Sequence, residues 1–159
     1  MIFRKIEKKD NSTIANIVKR NLESYGLNIK GTAYFDECLD NLFDFYNQQP
    51  LERQYWVVVD DCGIVVGGAG FAKLPYIEGC CELQKIYLID AYKGKGLGVK
   101  LLDFIVGKAR DIGYSKMYLE THDKLDLALK LYVKYGFNDI EKPDFVVHST
   151  MNKFFIKEI

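Results

Sequence analysis

The chain has 159 residues, 48% of them apolar, which is enough to bury the core of one domain over 1–159 and too many for a disordered segment. Lys plus Arg and Asp plus Glu number 22 each, so the formal net charge is zero and points to neither nucleic acid nor membrane as a partner. Four cysteines (Cys38, Cys62, Cys80, Cys81) without a C-x-x-C pair read as reduced thiols of a cytoplasmic protein, and with His122 and His148 the only histidines no metal site is expected.

The first ten residues are charged and lack the apolar centre of a signal peptide, and no apolar run approaches the roughly 20 residues that cross a bilayer. Residues 1–7 alternate and read as a strand. Asp10, Asn11 and Ser12 are candidate caps for a helix whose apolar face is Ile14, Ile17, Val18 and Leu22, ending at Tyr25-Gly26. The link 27–32 holds Gly31 and reads as a pocket edge. A second helix is expected over about 33–46, with Phe35, Cys38, Leu39, Leu42 and Phe45 as its stripe.

Residues 54–60 and 64–71 read as a hairpin around the turn Asp60-Asp61-Cys62-Gly63. Gly67, Gly68 and Gly70 within it mark bulges or close packing. A strand at 81–88 completes an antiparallel meander. If it alternates strictly, Glu82 shares a face with Gln84, Ile86 and Leu88.

Next comes Lys93-Gly94-Lys95-Gly96-Leu97-Gly98, which opens a strongly amphipathic helix. Its inner face is Leu97, Leu101, Leu102, Ile105, Val106, Ala109 and Ile112, and Gly113 stops it. Strand, glycine turn and helix together form an anion site: the glycines bring amide N–H groups close, and the first turn of the helix offers unpaired donors at its positive end. Lys93 and Lys95 add charge there. The loop is not a nucleoside triphosphate loop, because Gly96 is not followed by Lys-Ser or Lys-Thr, and it is not G-x-G-x-x-G, because Val99 and Leu101 stand where glycine is needed. A strand at 116–121 then implies a right-handed crossover between parallel strands. A helix over 125–135, closed by Gly136, and strands at 137–140 and 146–156 complete the chain.

The loop fits the pattern basic/Gln-x-x-Gly-x-Gly/Ala, with Lys93 in place of the usual Arg or Gln. Downstream, Ala128, Tyr132, Gly136 and Phe137 fit A-x-x-x-Y-x-x-x-G-F. In this order the two signatures closely resemble those of the GNAT superfamily, the acetyl-CoA-dependent N-acetyltransferases, and the similarity covers essentially the whole chain. It implies an α+β fold, a central mixed, mostly antiparallel sheet flanked by helices in the order β-α-α-β-β-β-α-β-α-β-β. It also implies an enzyme moving acetyl from acetyl-CoA to a primary amine, with a small-molecule acceptor favoured over a protein N-terminus or lysine. A non-catalytic acyl-CoA sensor is the alternative from another class.

By that resemblance the backbone of Ile86, Tyr87 and Leu88 holds the pantetheine arm and supplies an oxyanion donor. Lys93, Gly94, Lys95, Gly96, Leu97 and Gly98 hold the pyrophosphate. Glu82 is the candidate general base, with Glu120 as its rival, and Tyr132 is the acid for the leaving thiolate. Leu125 stands where the family often has an asparagine on the arm, so that contact is expected to be absent or supplied elsewhere. Lys130 and Lys134 read as cover for the outer helix face. Segments 27–32 and 142–150 are the expected walls of the acceptor pocket, which His122 and His148 are candidates to line. A homodimer through Phe154-Phe155 is a further expectation.

Overall fold

Alternation of apolar residues makes the sheet two-faced, and helices cover both faces. The computed structural model describes residues 1–146 and 150–159. Its elements are β1 (Ile2–Lys5), α1 (Asn11–Ser24), α2 (Leu42–Asn47), β2 (Arg53–Val59), β3 (Val65–Lys73) and β4 (Cys80–Leu88), then α3 (Leu97–Asp111), β5 (Lys116–Thr121), α4 (Asp126–Lys134), β6 (Asn138–Ile140) and β7 (Lys153–Glu158). The strands form one sheet, β1-β2-β3-β4-β5-β7-β6, in which β4–β5 is parallel and the other described pairs are antiparallel. The order and the parallel crossover through α3 are those expected from the sequence.

Strand β2 shows how the two cores arise. Tyr55, Val57 and Val59 pack beneath α1 and α2 with Ile14, Val18, Leu22 and Leu42. Val58 faces the other way and joins Leu101, Leu102 and Ile105 of α3. Each such aliphatic side chain contributes about 1.5–3 kcal/mol relative to leaving it in water. Strand β3 makes room for the aromatics of the first core. A Cβ at Gly68 or Gly70 would stand 2.7 or 2.6 Å from the Tyr55 ring, so only glycine lets that ring lie across the strand beside Tyr46.

Helix α1 is anchored at its start by Asp10, which is only 3% exposed. Its carboxylate accepts Arg4 Nη1–H and Nη2–H at 2.7 and 3.0 Å and the Glu7 N–H at 2.8 Å. Burial pushes the Asp10 pKa up, but these donors outweigh it and hold the group below the usual carboxylate value.

The expected second helix is broken. Residues Ala33–Phe35 and Leu39–Asn41 form single 3-10 turns, and only Leu42–Asn47 is α-helical. Asp36 is extended and Asn41 leaves helical geometry, so the stripe cannot run on. Leu39 and Leu42 stay buried while Phe35 is 55% exposed. Phe154 and Phe155 are both buried, because β7 lies between β5 and β6; they are core residues and not an interface. The part of the expected 146–156 strand at 147–149, with His148, lies outside the described residues.

Candidate active site

The site begins where the sheet stops pairing. Parallel strands β4 and β5 are in register at Cys80↔Lys116, Cys81↔Met117 and Glu82↔Tyr118 and no further. Beyond Glu82 the two strands part, and a cavity of about 370 Å³ opens beside the free stretch of β4. Ile86, Tyr87 and Leu88 line it, as do Lys93, Gly94, Gly96 and Gly98 of the loop that follows. Glu120 of β5 and Tyr132 of α4 close it from the other side.

The backbone of β4 is not regular here. Its register to β3 shifts between Gly68 and Gly70, and Lys85 sits at φ +50°. One residue is therefore extra, and a bulge of this kind exchanges the faces of everything beyond it. Gln84 and Tyr87 stand opposite Gly70 and Gly68, two residues apart, so they share a face. The expected alternation is corrected accordingly: Glu82 and Gln84 lie on the α1/α2 face with Tyr87, while Leu83, Ile86 and Leu88 belong to the α3 side.

Glu82 lies at the point of divergence rather than in the cavity lining. Its carboxylate accepts Gln84 Nε2–H at 2.6 Å, and Gln84 Oε1 in turn accepts Tyr46 O–H at 2.7 Å. Burial raises the Glu82 pKa, the Gln84 bond opposes this, and the charge of Glu120 adds to the rise. The charge of Lys85 offsets the rise only in part. Its ammonium, on a side chain 7% exposed, is 2.6 Å from Asp36 in the α1–α2 link. Glu120 Oε1 accepts the Tyr118 hydroxyl at 3.1 Å.

The loop has the shape of an anion cradle. Gly94 and Gly96 have φ of +71° and +78°, and nothing lies within 4 Å of where a Cβ would project. Gly96 caps α3, and its carbonyl accepts the Lys100 N–H at 3.2 Å, which leaves the N–H groups of Leu97, Gly98 and Val99 without intrahelical partners. A diphosphate fits this combination of open space and free donors. Lys93 lines the cavity with its ammonium 2.6 Å from Asp90; Lys95 is exposed outside the lining, and the Leu97 side chain is in the core.

Tyr132 is buried, with its ring 5.8 and 6.2 Å from those of Phe137 and Phe155, and burial pushes its pKa up. Lys130 and Lys134, expected to cover the outer face of α4, are exposed, Lys130 with its ammonium 3.9 Å from Asp126, and both also border the cavity. His122 caps its own loop, its Nδ1 accepting the Lys124 N–H at 3.1 Å. The two expected walls meet, Thr150 Oγ1–H donating to Lys30 O at 2.6 Å. Sequence reasoning missed Asn21, Tyr25, Lys85, Thr121 and Met151 among the lining residues. Asn21 did leave a trace, being a polar residue within the buried stripe of Ile14, Ile17, Val18 and Leu22.

A sequence model of the acetyltransferase (GNAT) family matches residues 17–137. The chain is 39% identical over 142 residues, 88% of its own length and 83% of the other's, to the uncharacterised N-acetyltransferase YjgM of Escherichia coli (strain K12). Its fold is similar to that of a GNAT-family acetyltransferase from Staphylococcus aureus Mu50, with a TM-score of 0.84 and 21% identity over 99% of this chain and 98% of that one. It is also similar to YncA from Salmonella typhimurium, solved with its cofactor acetyl-CoA, with a TM-score of 0.76 and 23% identity over 99% of this chain and 93% of that one.

Proposed function

We infer, since the chain belongs to the acetyltransferase (GNAT) family, that it moves an acetyl group from acetyl-CoA directly to a primary amine of a small molecule, as a single domain working in the cytoplasm. The observation that carries this reading is the free stretch of β4, followed after one turn at Asp90–Tyr92 by the Gly94–Gly96 cradle, with Tyr132 in the same cavity. All four cysteines are free, in keeping with a reducing compartment.

When bound, acetyl-CoA supplies an acetyl group activated as a thioester. The N–H groups of the glycine loop and of the first turn of α3 take the diphosphate, and Lys93 balances its charge. The backbone of Ile86 to Leu88 would hold the amide arm, and an N–H of that edge would polarise the thioester carbonyl. Glu82, its pKa raised, takes the proton of the acceptor ammonium, directly or through water. The freed amine forms the new C–N bond as the C–S bond breaks. Tyr132 gives its phenolic proton to the departing sulfur and is reprotonated, through water, by the second proton that the acylated nitrogen sheds; because burial raises its pKa it starts each cycle protonated. The acceptor enters on the α1/α2 face, where the 27–32 link is tied to Thr150 and Glu82 is turned inward.

The test is thiol release from acetyl-CoA across a panel of amines, polyamines, amino acids and peptides. Turnover with at least one small amine is expected. Gly96→Val should weaken acetyl-CoA binding by roughly 100-fold, since left-handed backbone strain of about 1–3 kcal/mol adds to a side chain placed in the diphosphate space. Tight acetyl-CoA binding with no amine acetylated would turn the reading into a sensor. Undiminished binding in Gly96→Val would remove the loop from the site.

A further inference from the structure

Asn21 is a polar residue on the buried face of α1, 9% exposed and part of the cavity lining. Its Nδ2 lies 2.8 Å from Ile17 O and 3.1 Å from Leu88 O. Both neighbours are carbonyl acceptors, so the nitrogen must point at them and the orientation of the amide is fixed. Its Oδ1 accepts from no other described residue, in a side chain that borders the cavity. Leu88 lies on the stretch of β4 that has left β5. Ile89 N–H donates to Val66 of β3, so Leu88, one residue earlier, turns its own N–H and C=O away from β3. Asn21 therefore occupies the carbonyl of this free edge and offers the cavity a carbonyl of its own instead.

We propose that Asn21 is a binding residue for the coenzyme arm: its Oδ1 accepts an N–H or O–H of the arm just beyond the phosphates, in place of the Leu88 carbonyl that its Nδ2 holds. Position selects the donor. Glu82 is six residues back along β4, roughly 20 Å away at about 3.3 Å per residue, so the reacting amine is out of reach. The glycine loop begins five residues beyond Leu88. The donors that pass this point belong to the pantoyl end of the arm, which carries a hydroxyl and an amide N–H. The chain Leu88 C=O···H–N–C=O···H is also cooperative, since each bond polarises the next. This role rests on the acetyl-CoA reading above.

The experiment compares calorimetric binding of coenzyme A with that of ADP, which has the diphosphate and no arm, in wild type and Asn21→Leu. Coenzyme A should bind about 10-fold more weakly to the variant, equivalent to about 1.4 kcal/mol, with ADP unchanged. A folded variant that binds coenzyme A as wild type does would overturn the assignment. Equal weakening of both ligands would reduce Asn21 to a structural tie between α1 and β4. Should Asn21→Leu fail to fold, the side-chain amide resonances of Asn21 in wild type decide: they should shift with coenzyme A and stay in place with ADP, and no shift with coenzyme A overturns the proposal. Failure of wild type to bind coenzyme A would instead remove the acetyl-CoA reading itself.

Discussion

The two edges of β4 differ. Toward β3 the strand is paired from Cys81 to Leu88, broken once by the bulge at Lys85. Toward β5 it is paired over three residues and then runs beside open space. The same backbone is thus held in the sheet on one side and borders a cavity on the other. A buried backbone group must find a partner. Where the neighbouring strand leaves, the partner is a side chain, as Asn21 is for Leu88, or a ligand with an amide backbone of its own. The bulge adds a second asymmetry: Glu82 lies on the α1/α2 face, while Ile86 and Leu88 lie on the α3 side.

This contrast fails first at Glu82 if it is wrong. Glu82→Gln is expected to lower turnover roughly 100-fold or more, as loss of a general base does, with acetyl-CoA affinity nearly unchanged. The pH profile carries the sign. The base works only when ionised, so the rate climbs as pH rises through a Glu82 pKa that burial and Glu120 hold above the usual value. No falling limb from Tyr132 follows, because its pKa is raised too. Glu120→Gln removes one cause of the Glu82 rise and should move the climbing limb to lower pH. If Glu120→Gln abolishes turnover and Glu82→Gln does not, the base lies on β5.

Tyr132→Phe sharpens the open side next. The hydroxyl makes no hydrogen bond to another described residue, so stability should change by no more than about 1 kcal/mol. Turnover should fall by about 10- to 1,000-fold, since the lost interaction exists mainly in the transition state. Melting temperature and turnover measured on one sample separate this role from that of a core tyrosine.

The smallest expected effect on catalysis is on the paired side of the sheet. Asp10→Asn should cost about 1–3 kcal/mol of stability through the lost Arg4 pairing, with turnover unchanged. The folded Asp10 pKa is depressed, so its contribution is present above the unfolded value of 3.8 and lost as pH falls through the lower folded one. Acid unfolding followed in wild type and variant should show the difference between them shrinking at low pH.

Legibility in the sequence followed how local each cause is. Helix α3 begins at the expected Leu97, and β5 is the expected 116–121, because periodicity and flanking glycines act within a few residues. The helix over 33–46 failed because its stripe spans Asp36 and Asn41, which turn the chain out of helical geometry. The bulge had no mark on its own strand, since a lysine at positive φ looks like any lysine; its trace was the glycine pair on β3. Phe154-Phe155 misled because the placing of β7 between β5 and β6 is a long-range event.

The most direct test is amide hydrogen exchange along β4 with and without acetyl-CoA. Ile89 N–H is already bonded to Val66, and alternation turns the N–H groups of Ile86 and Leu88 to the open edge. Acetyl-CoA should slow exchange at Ile86 and Leu88 and leave the fully paired Val57 of β2 unaffected. Binding of acetyl-CoA with no added protection at Ile86 or Leu88 would contradict the claim that the free edge of β4 is the cofactor's binding surface.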